Sequence, residues 1–397
     1  MNESQRLRAT QSPIIPVIAD LIRQNPGTLS LGQGVVGYGP PPETLEAIDR
    51  FHSDPANHKY QPVAGIPSLL ESVARKLDLE NGIRIGTENR LMVTAGGNQA
   101  FMNAVLAISD PGDEFILPTP YYFNQEMAVT MANCRPVLVA TDASYQLHVA
   151  ALKAAITPRT RAIITVSPNN PTGAVYPADT LRAVNRLCAE HGIFHLADEA
   201  YEYFTYDGVR HFSPASDPGT AAHTISLFSL SKSHGFASWR IGWMVFPARL
   251  ESAMRKVQDT LLICPPVISQ FAAVGALSAG GDYVRGKLHA IAATRTRVRS
   301  GLDPLVQENL CDIPPANGAF YFLLRVRSAQ TSMEVAERLI REHRVAVIPG
   351  NAFGLRDGCY LRVAYGALQQ ETAAEAIGRL VGGLRAITRS RAGFSPP

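Results

Sequence analysis

Between residues 90 and 230 short apolar runs alternate with segments of helical spacing, and few folds accommodate that alternation. Residues 90–94, 114–118, 161–167, 194–198 and 224–230 read as buried strands, with helical patterns such as 99–108 and 178–191 between them. Repeated strand–helix–strand units imply an α/β fold, a mostly parallel sheet with helices on both faces. Ligands bind such sheets beyond the carboxyl ends of the strands, so the residues just after each run are the candidates for chemistry. A long helical stretch, 281–306, then leads to a smaller C-terminal part. That part has strand-like runs at 318–324, 345–348 and 360–364 and a closing helix at 371–387. The tail, 389–397, is expected to fray.

Composition narrows the function classes. With 397 residues, 46% of them hydrophobic, the chain has enough apolar content for a packed core and about two domains. Its charged fraction of 18% is below the usual quarter and points to surface covered by a second subunit. The net charge of +3 is not concentrated in any basic run, which argues against a nucleic-acid partner. The five cysteines are odd in number, widely spaced and free of CxxC pairs, so neither a disulfide framework nor a zinc ribbon is expected and no metal is called for. The first ten residues lack a signal peptide's apolar core, and no run reaches the roughly 18 apolar residues of a membrane span. A cytoplasmic protein with no membrane partner is expected.

Gly32-Gln33-Gly34-Val35-Val36-Gly37 matches the GxGxxG pattern letter for letter. A dinucleotide site needs a helix immediately afterwards to meet the pyrophosphate, and here Pro40, Pro41 and Pro42 follow. A loop with a closely approached backbone is the better reading.

The residues that carry chemistry lie elsewhere. Ser229-Leu230-Ser231-Lys232 ends an apolar strand, and Arg240 follows eight residues on; only six lysines occur in the chain. A buried lysine tends to lose its proton, and a neutral amine is what a Schiff base with an aldehyde requires. Ser229, Ser231 and Arg240 suit a phosphate, as does the turn Gly96-Gly97-Asn98, where a strand passes through two glycines into a helix. Asp198 could hold a proton on a heterocyclic nitrogen, although a helix N-cap also favours aspartate there. Asn170, in Asn170-Pro171-Thr172-Gly173, offers donor and acceptor at the ligand edge. Tyr121, Tyr122 and Phe123 offer an aromatic face, for a flat ring or for the core. Arg362, within an apolar strand, either pairs with a buried acid or awaits a carboxylate. Lysine for an aldehyde, aspartate for a ring nitrogen and a cradle for a phosphate together describe pyridoxal 5'-phosphate.

With these motifs in order the sequence resembles a class I/II aminotransferase of the fold-type I pyridoxal-phosphate superfamily. The shared features run from the Gly-Gln-Gly loop through Tyr60 and Gly65, Gly96-Gly97, Pro120-Tyr121-Tyr122, Asn-Pro-Thr-Gly, Asp198-x-x-Tyr201, Ser-x-x-Lys and Pro349-Gly350 to Arg362. Gly32-Gln33-Gly34 and Tyr201-Glu202-Tyr203-Phe204 look closest to the branch handling aromatic, methionine and kynurenine-like amino acids. The resemblance implies a large domain with a mostly parallel sheet sandwiched by helices and a smaller α+β domain from both chain ends. Residues 1–44 would join the small domain, 45–285 form the cofactor-binding domain and 286–397 complete the small one.

The resemblance also implies roles. Lys232 forms the bond to the cofactor and shuttles the substrate proton; Asp198 pairs with the ring nitrogen, while Asn170 and Tyr201 bind its phenolic oxygen. Tyr122 stacks on the ring, with Tyr121 the alternative. Gly96, Gly97, Asn98, Ser229, Ser231 and Arg240 hold the phosphate, joined by Tyr60 from the other subunit of a homodimer with shared active sites. Arg362 forks the substrate carboxylate with Gly34 and Asn170. Read from the residues themselves, Tyr38, Tyr60, Tyr121, Tyr122 and Phe123 suggest an apolar or aromatic substrate pocket, with Tyr38 a substrate-binding candidate. Val35-Val36-Gly37 replaces the family's more usual aromatic-Pro-Asp, which reshapes that pocket. The expected reaction is ping-pong transamination between an aromatic, methionine-like or other neutral apolar amino acid and a 2-oxo acid. The rival on the same scaffold is β-elimination or another specialised carbon chemistry.

Overall fold

The computed structural model describes residues 3–389; the tail from 390 onward lies outside the described residues. Seven strands form the main sheet, in the spatial order Asn89–Thr94, Gly242–Pro247, Thr224–Ser229, Phe194–Asp198, Thr160–Val166, Glu114–Thr119 and Arg135–Ala140. All neighbours are parallel except Gly242–Pro247, which runs antiparallel to both of its partners.

The apolar runs have a simple cause. Side chains alternate across a strand, and here both faces are covered. Phe115, Leu117, Ile164 and Met244 pack with Phe101 and Val105 of the helix Gly97–Ile108. Their chain neighbours turn the other way. Ile116 and Ile163 meet Val184 and Leu187 of Ala178–His191, while Trp243 and Val245 meet Leu69 and Val73 of Pro67–Lys76. Each large aliphatic side chain removed from water contributes about 1.5–3 kcal/mol, so every position in such a run favours an apolar residue.

Two strands escaped the pattern. Arg135–Ala140 is an edge strand, mostly exposed or half-buried, so its sequence carries no buried run. Gly242–Pro247 follows the short helix Leu230–Ser233 without an intervening crossover helix, because an antiparallel return needs none.

The second sheet has four antiparallel strands in the order Ile348–Pro349, Cys359–Ala364, Tyr321–Val326 and Cys311–Asp312. The expected run 318–324 starts later than read, since Ala319 has φ +52 and breaks the extended chain before Tyr321. The run 345–348 splits, Val345–Ala346 pairing with Leu29–Ser30 and Ile348–Pro349 with Cys359–Ala364. That first pairing ties the beginning of the chain to its end, and the helices Gly280–Gln307, Ser332–His343 and Gln370–Arg389 cover the small sheet. Among the described residues no single helix is long and apolar enough to cross a membrane, and all five cysteines are free and buried.

Candidate active site

Lys232, Asn170, Tyr201, Tyr122, Gly34 and Arg362, drawn from distant parts of the chain, line one cavity. After Gly34 the chain does not enter a helix until Glu43, as the prolines require, and the Gly32–Gly34 backbone is used directly. The Gly32 carbonyl accepts from Arg362 Nη2 at 2.7 Å, and the Gly34 carbonyl from Lys232 Nζ at 2.6 Å.

Lys232 sits in the helix Leu230–Ser233, capped by Ser229, whose Oγ accepts from the Ser231 N–H at 3.1 Å. Burial pulls the amine down to about 8, helped by the Arg362 and Arg240 guanidinium charges and opposed by Asp198. Asp198 ends its strand and accepts from Gln125 Nε2 at 2.8 Å and the Ala200 N–H at 3.2 Å. Its carboxyl is pushed up to about 6, chiefly by burial; Glu199's charge adds to the rise, and the two hydrogen bonds and Lys232 hold it back.

Arg362 is almost fully buried and donates from Nη1 to Asn170 Oδ1 at 2.9 Å. The other end of that amide, Asn170 Nδ2, donates to Tyr201 Oη at 3.3 Å. The guanidinium lies 4.5 Å from the Tyr321 ring and 5.2 Å from that of Phe353, while its Nε has no hydrogen-bond partner among the described residues. Buried arginine without a carboxylate is costly unless a ligand supplies one.

A second cluster surrounds the start of Gly97–Ile108. Gly96 has φ +79, and a Cβ there would fall 2.5 Å from Arg240 Nη2, so a glycine is required twice over. Arg240 donates to the Ala95 and Ala237 carbonyls at 3.3 and 3.0 Å and approaches Ser231 Oγ at 3.5 Å. Ser229 Oγ lies 2.9 Å from Ser231 Oγ, and Asn98 is exposed on the first turn of the same helix. A guanidinium, hydroxyls and a helix N-terminus of this kind make an anion cradle.

A cavity of about 410 Å³ is lined by Lys232, Asn170, Tyr201, Arg362, Gly34 and Tyr122 together. Tyr121 faces away, packed against Gly354. Asp198 and the cradle residues Gly96, Gly97, Asn98, Ser229, Ser231 and Arg240 are not among its lining residues, and neither are Tyr38 and Tyr60. Tyr38 spends its hydroxyl on the Lys232 and Ser233 carbonyls at 3.1 and 3.0 Å, so it braces the lysine's helix rather than lining the pocket. Tyr60 is 80% exposed and does not line it either.

Sequence reasoning missed Gln125, Tyr321 and the wall formed by Ile15, Ile18, Ala19 and Ile22 of the helix Ile14–Gln24. Ile15, Ile18 and Ile22 recur at helical spacing, a signal that was there to be found. Gln125 and Tyr321 carry no such signal: Gln125 meets the site through Asp198, and Tyr321 reaches the cavity from a strand that reads only as apolar.

The model of the family "Aminotransferase class I and II" matches residues 26–380. An aromatic aminotransferase of Arabidopsis thaliana is 33% identical over 390 residues, 96% of each chain. An aspartate aminotransferase of Rhizobium meliloti is 33% identical over 369 residues, covering 89% of this chain and 88% of its own. The solved aspartate aminotransferase of Thermus thermophilus with maleate superposes with a TM-score of 0.88 at 33% identity, over 96% of this chain and all of that one (100%). The matched family spans nearly the whole fold just described, and the chain belongs to the class I and II aminotransferases, a family of pyridoxal-phosphate enzymes.

Proposed function

We propose that the protein transfers an amino group, by a ping-pong cycle, from an amino acid with an aromatic, methionine-like or other neutral apolar side chain to a 2-oxo acid. The observation that carries this reading is one cavity holding the Lys232 amine and the Arg362 guanidinium against an aliphatic wall of Ile15, Ile18, Ile22 and Ile348. Those two are the only cations among its lining residues, so one carboxylate is matched and a second is not.

Pyridoxal 5'-phosphate fits the residues present. An amine of lowered proton affinity, a carboxylate beyond it and a cradle kept open by the missing Gly96 side chain suit its aldehyde, ring nitrogen and phosphate. When bound, the cofactor supplies an aldehyde for the amino group and a protonated ring that spreads the charge left at Cα.

The chain's own residues do the rest. Asp198 holds the ring-nitrogen proton, and Asn170 and Tyr201 bind the phenolic oxygen. Tyr122 packs on the ring face. Gly96, Gly97, Asn98, Ser229, Ser231 and Arg240 bind the phosphate, and we assign the exposed Tyr60 to the same phosphate in a second copy of the chain. Arg362 with Asn170 and the Gly34 loop orients the substrate carboxylate. Lys232 Nζ then takes the proton from Cα, a transfer aided by a proton affinity near working pH. Tyr38 braces the helix of Lys232 through the Lys232 and Ser233 carbonyls.

An amino-donor screen tests the proposal, following bleaching of the bound cofactor's visible band and measuring ammonia alongside the new oxo acid. Phenylalanine, tyrosine or methionine should bleach the wild type, and Lys232→Ala should not turn over. Stoichiometric ammonia without an amino acceptor would instead assign a lyase. A much stronger response to aspartate or glutamate would overturn the substrate class.

A further inference from the structure

Tyr321 was absent from every sequence-derived role, yet it touches three of the groups assigned above. It opens the strand Tyr321–Val326, in which Leu323 stands opposite Arg362 across the antiparallel pair. Tyr321 is therefore the diagonal neighbour of Arg362 on the same sheet face, with the guanidinium 4.5 Å from its ring. Its hydroxyl lies 2.8 Å from Tyr201 Oη, and among the described residues this is its one hydrogen-bond partner. On its other side the Gly34 backbone is so close that a Cβ there would fall 2.6 Å from Tyr321 Oη. The hydroxyl is fixed in place, and no side chain can be inserted beside it.

We propose that Tyr321 is a positioning residue for the reaction: its hydroxyl donates to Tyr201, so that Tyr201 turns its own proton toward the phenolic oxygen of the bound cofactor. The inference rests on the pyridoxal-phosphate reading above and adds to it a donor behind the donor.

The counting of protons carries the argument. A phenol has one proton to give and lone pairs to receive with. Tyr201 Oη already receives Asn170 Nδ2 at 3.3 Å, and either hydroxyl of the tyrosine pair can be the donor between them. Tyr201 can serve a third acceptor only if Tyr321 is the donor within the pair. Both rings line the same cavity as Lys232, which is where that acceptor would lie. Burial raises both hydroxyls above the ordinary tyrosine value, so each keeps its proton throughout the working range. In a hydrogen-bonded chain each link polarises the next, strengthening it by about 10–30%. Tyr321 thereby draws charge from the cofactor oxygen without touching it, while its ring face separately supports Arg362.

The test uses the cofactor-loaded enzyme and the isosteric variants Tyr321→Phe, Tyr201→Phe and the double variant. Removing the Tyr321 hydroxyl leaves more charge on the cofactor oxygen, which then keeps its neighbouring proton to higher pH. The pH midpoint of the visible absorption change should rise by about 0.5 unit, roughly a threefold change in proton affinity. The KM for the amino donor should stay within about twofold, because the phenyl ring under Arg362 remains, while kcat falls about threefold. In the Tyr201→Phe background the second substitution should move the midpoint no further. An unchanged midpoint in Tyr321→Phe, or the same shift persisting without the Tyr201 hydroxyl, overturns the relay. A wild type that shows no visible band with added pyridoxal phosphate overturns the functional reading itself, a result distinct from either.

Discussion

Lys232 donates from Nζ to the Gly34 carbonyl at 2.6 Å, a contact between residues 198 positions apart in the chain. A backbone carbonyl can accept from either protonation state of the amine, so the contact places the nitrogen without fixing its charge. Burial decides the charge, lowering the amine from 10.5 to about 8. The folded state thus binds the proton less tightly than the unfolded chain does. The resulting destabilisation is fully present below the folded value and vanishes as pH rises through the window from about 8 to 10.5. Cofactor-free Lys232→Met should be more stable than wild type at pH 7, by up to about 3 kcal/mol, with the gain shrinking toward pH 10.5. Denaturant midpoints across that range check it. A gain that grew with pH would contradict the assignment.

Arg362 matches a carboxylate by shape as well as charge. Its two Nη groups are committed to Asn170 and Gly32, its ring neighbours hold the plane, and its Nε is left without a partner among the described residues. Lysine cannot reproduce that planar fork. Arg362→Lys should lower kcat/KM for the amino donor by about 30–100-fold, equivalent to roughly 2–3 kcal/mol for a charged hydrogen bond. The dissociation constant for pyridoxal phosphate should move much less. Steady-state kinetics and cofactor titration separate the two, and equal losses in both would mean that Arg362 supports the fold rather than the substrate.

How much of this was legible beforehand follows from what each residue does alone. Lys232, Asp198, Asn170 and Gly96 stand at the ends of strands or in glycine turns, where local pattern already marks a ligand edge. The five strands read from the sequence were visible for the same reason: both faces are covered, so the apolar runs are unbroken. Arg135–Ala140, on the edge, lacks that constraint and left no trace. The direction of Tyr121 and Tyr122 could not be read, because adjacent residues at a helix start differ only by which neighbour packs on them. Gly354 settles it, since Tyr121 fills the space where a Cβ would stand. For Tyr38 the aromatic character of a loop does not say where its hydroxyl finds a carbonyl, and that contact is visible only in the fold.

Gly96 combines a left-handed φ of +79 with a missing side chain that Arg240 would otherwise meet at 2.5 Å. Gly96→Ala imposes backbone strain of about 1–3 kcal/mol and displaces the guanidinium from the cradle. Pyridoxal-phosphate affinity should fall at least about tenfold, while the KM for the amino donor in the loaded enzyme changes little. Fluorescence titration of the cofactor-free protein measures the first and saturating-cofactor kinetics the second. Wild-type affinity in the variant would remove Gly96 from the phosphate site.

The aliphatic wall makes the most specific claim about substrate. Ile15 lines the cavity yet is 40% exposed, unlike Ile18 at 3%, so it can be changed with little loss of core packing. No cation among the lining residues lies on the wall formed by Ile14–Gln24, and a second carboxylate placed there would be desolvated without a partner. Ile15→Lys supplies a charge whose stem still covers apolar surface. It should raise kcat/KM for aspartate relative to phenylalanine by about tenfold, partly by weakening the apolar donor and partly by pairing the acidic one. Ile15→Ala should weaken phenylalanine without helping aspartate. If Ile15→Lys leaves that ratio at its wild-type value, the donor's side chain does not reach this helix, and the apolar preference must be set elsewhere in the cavity.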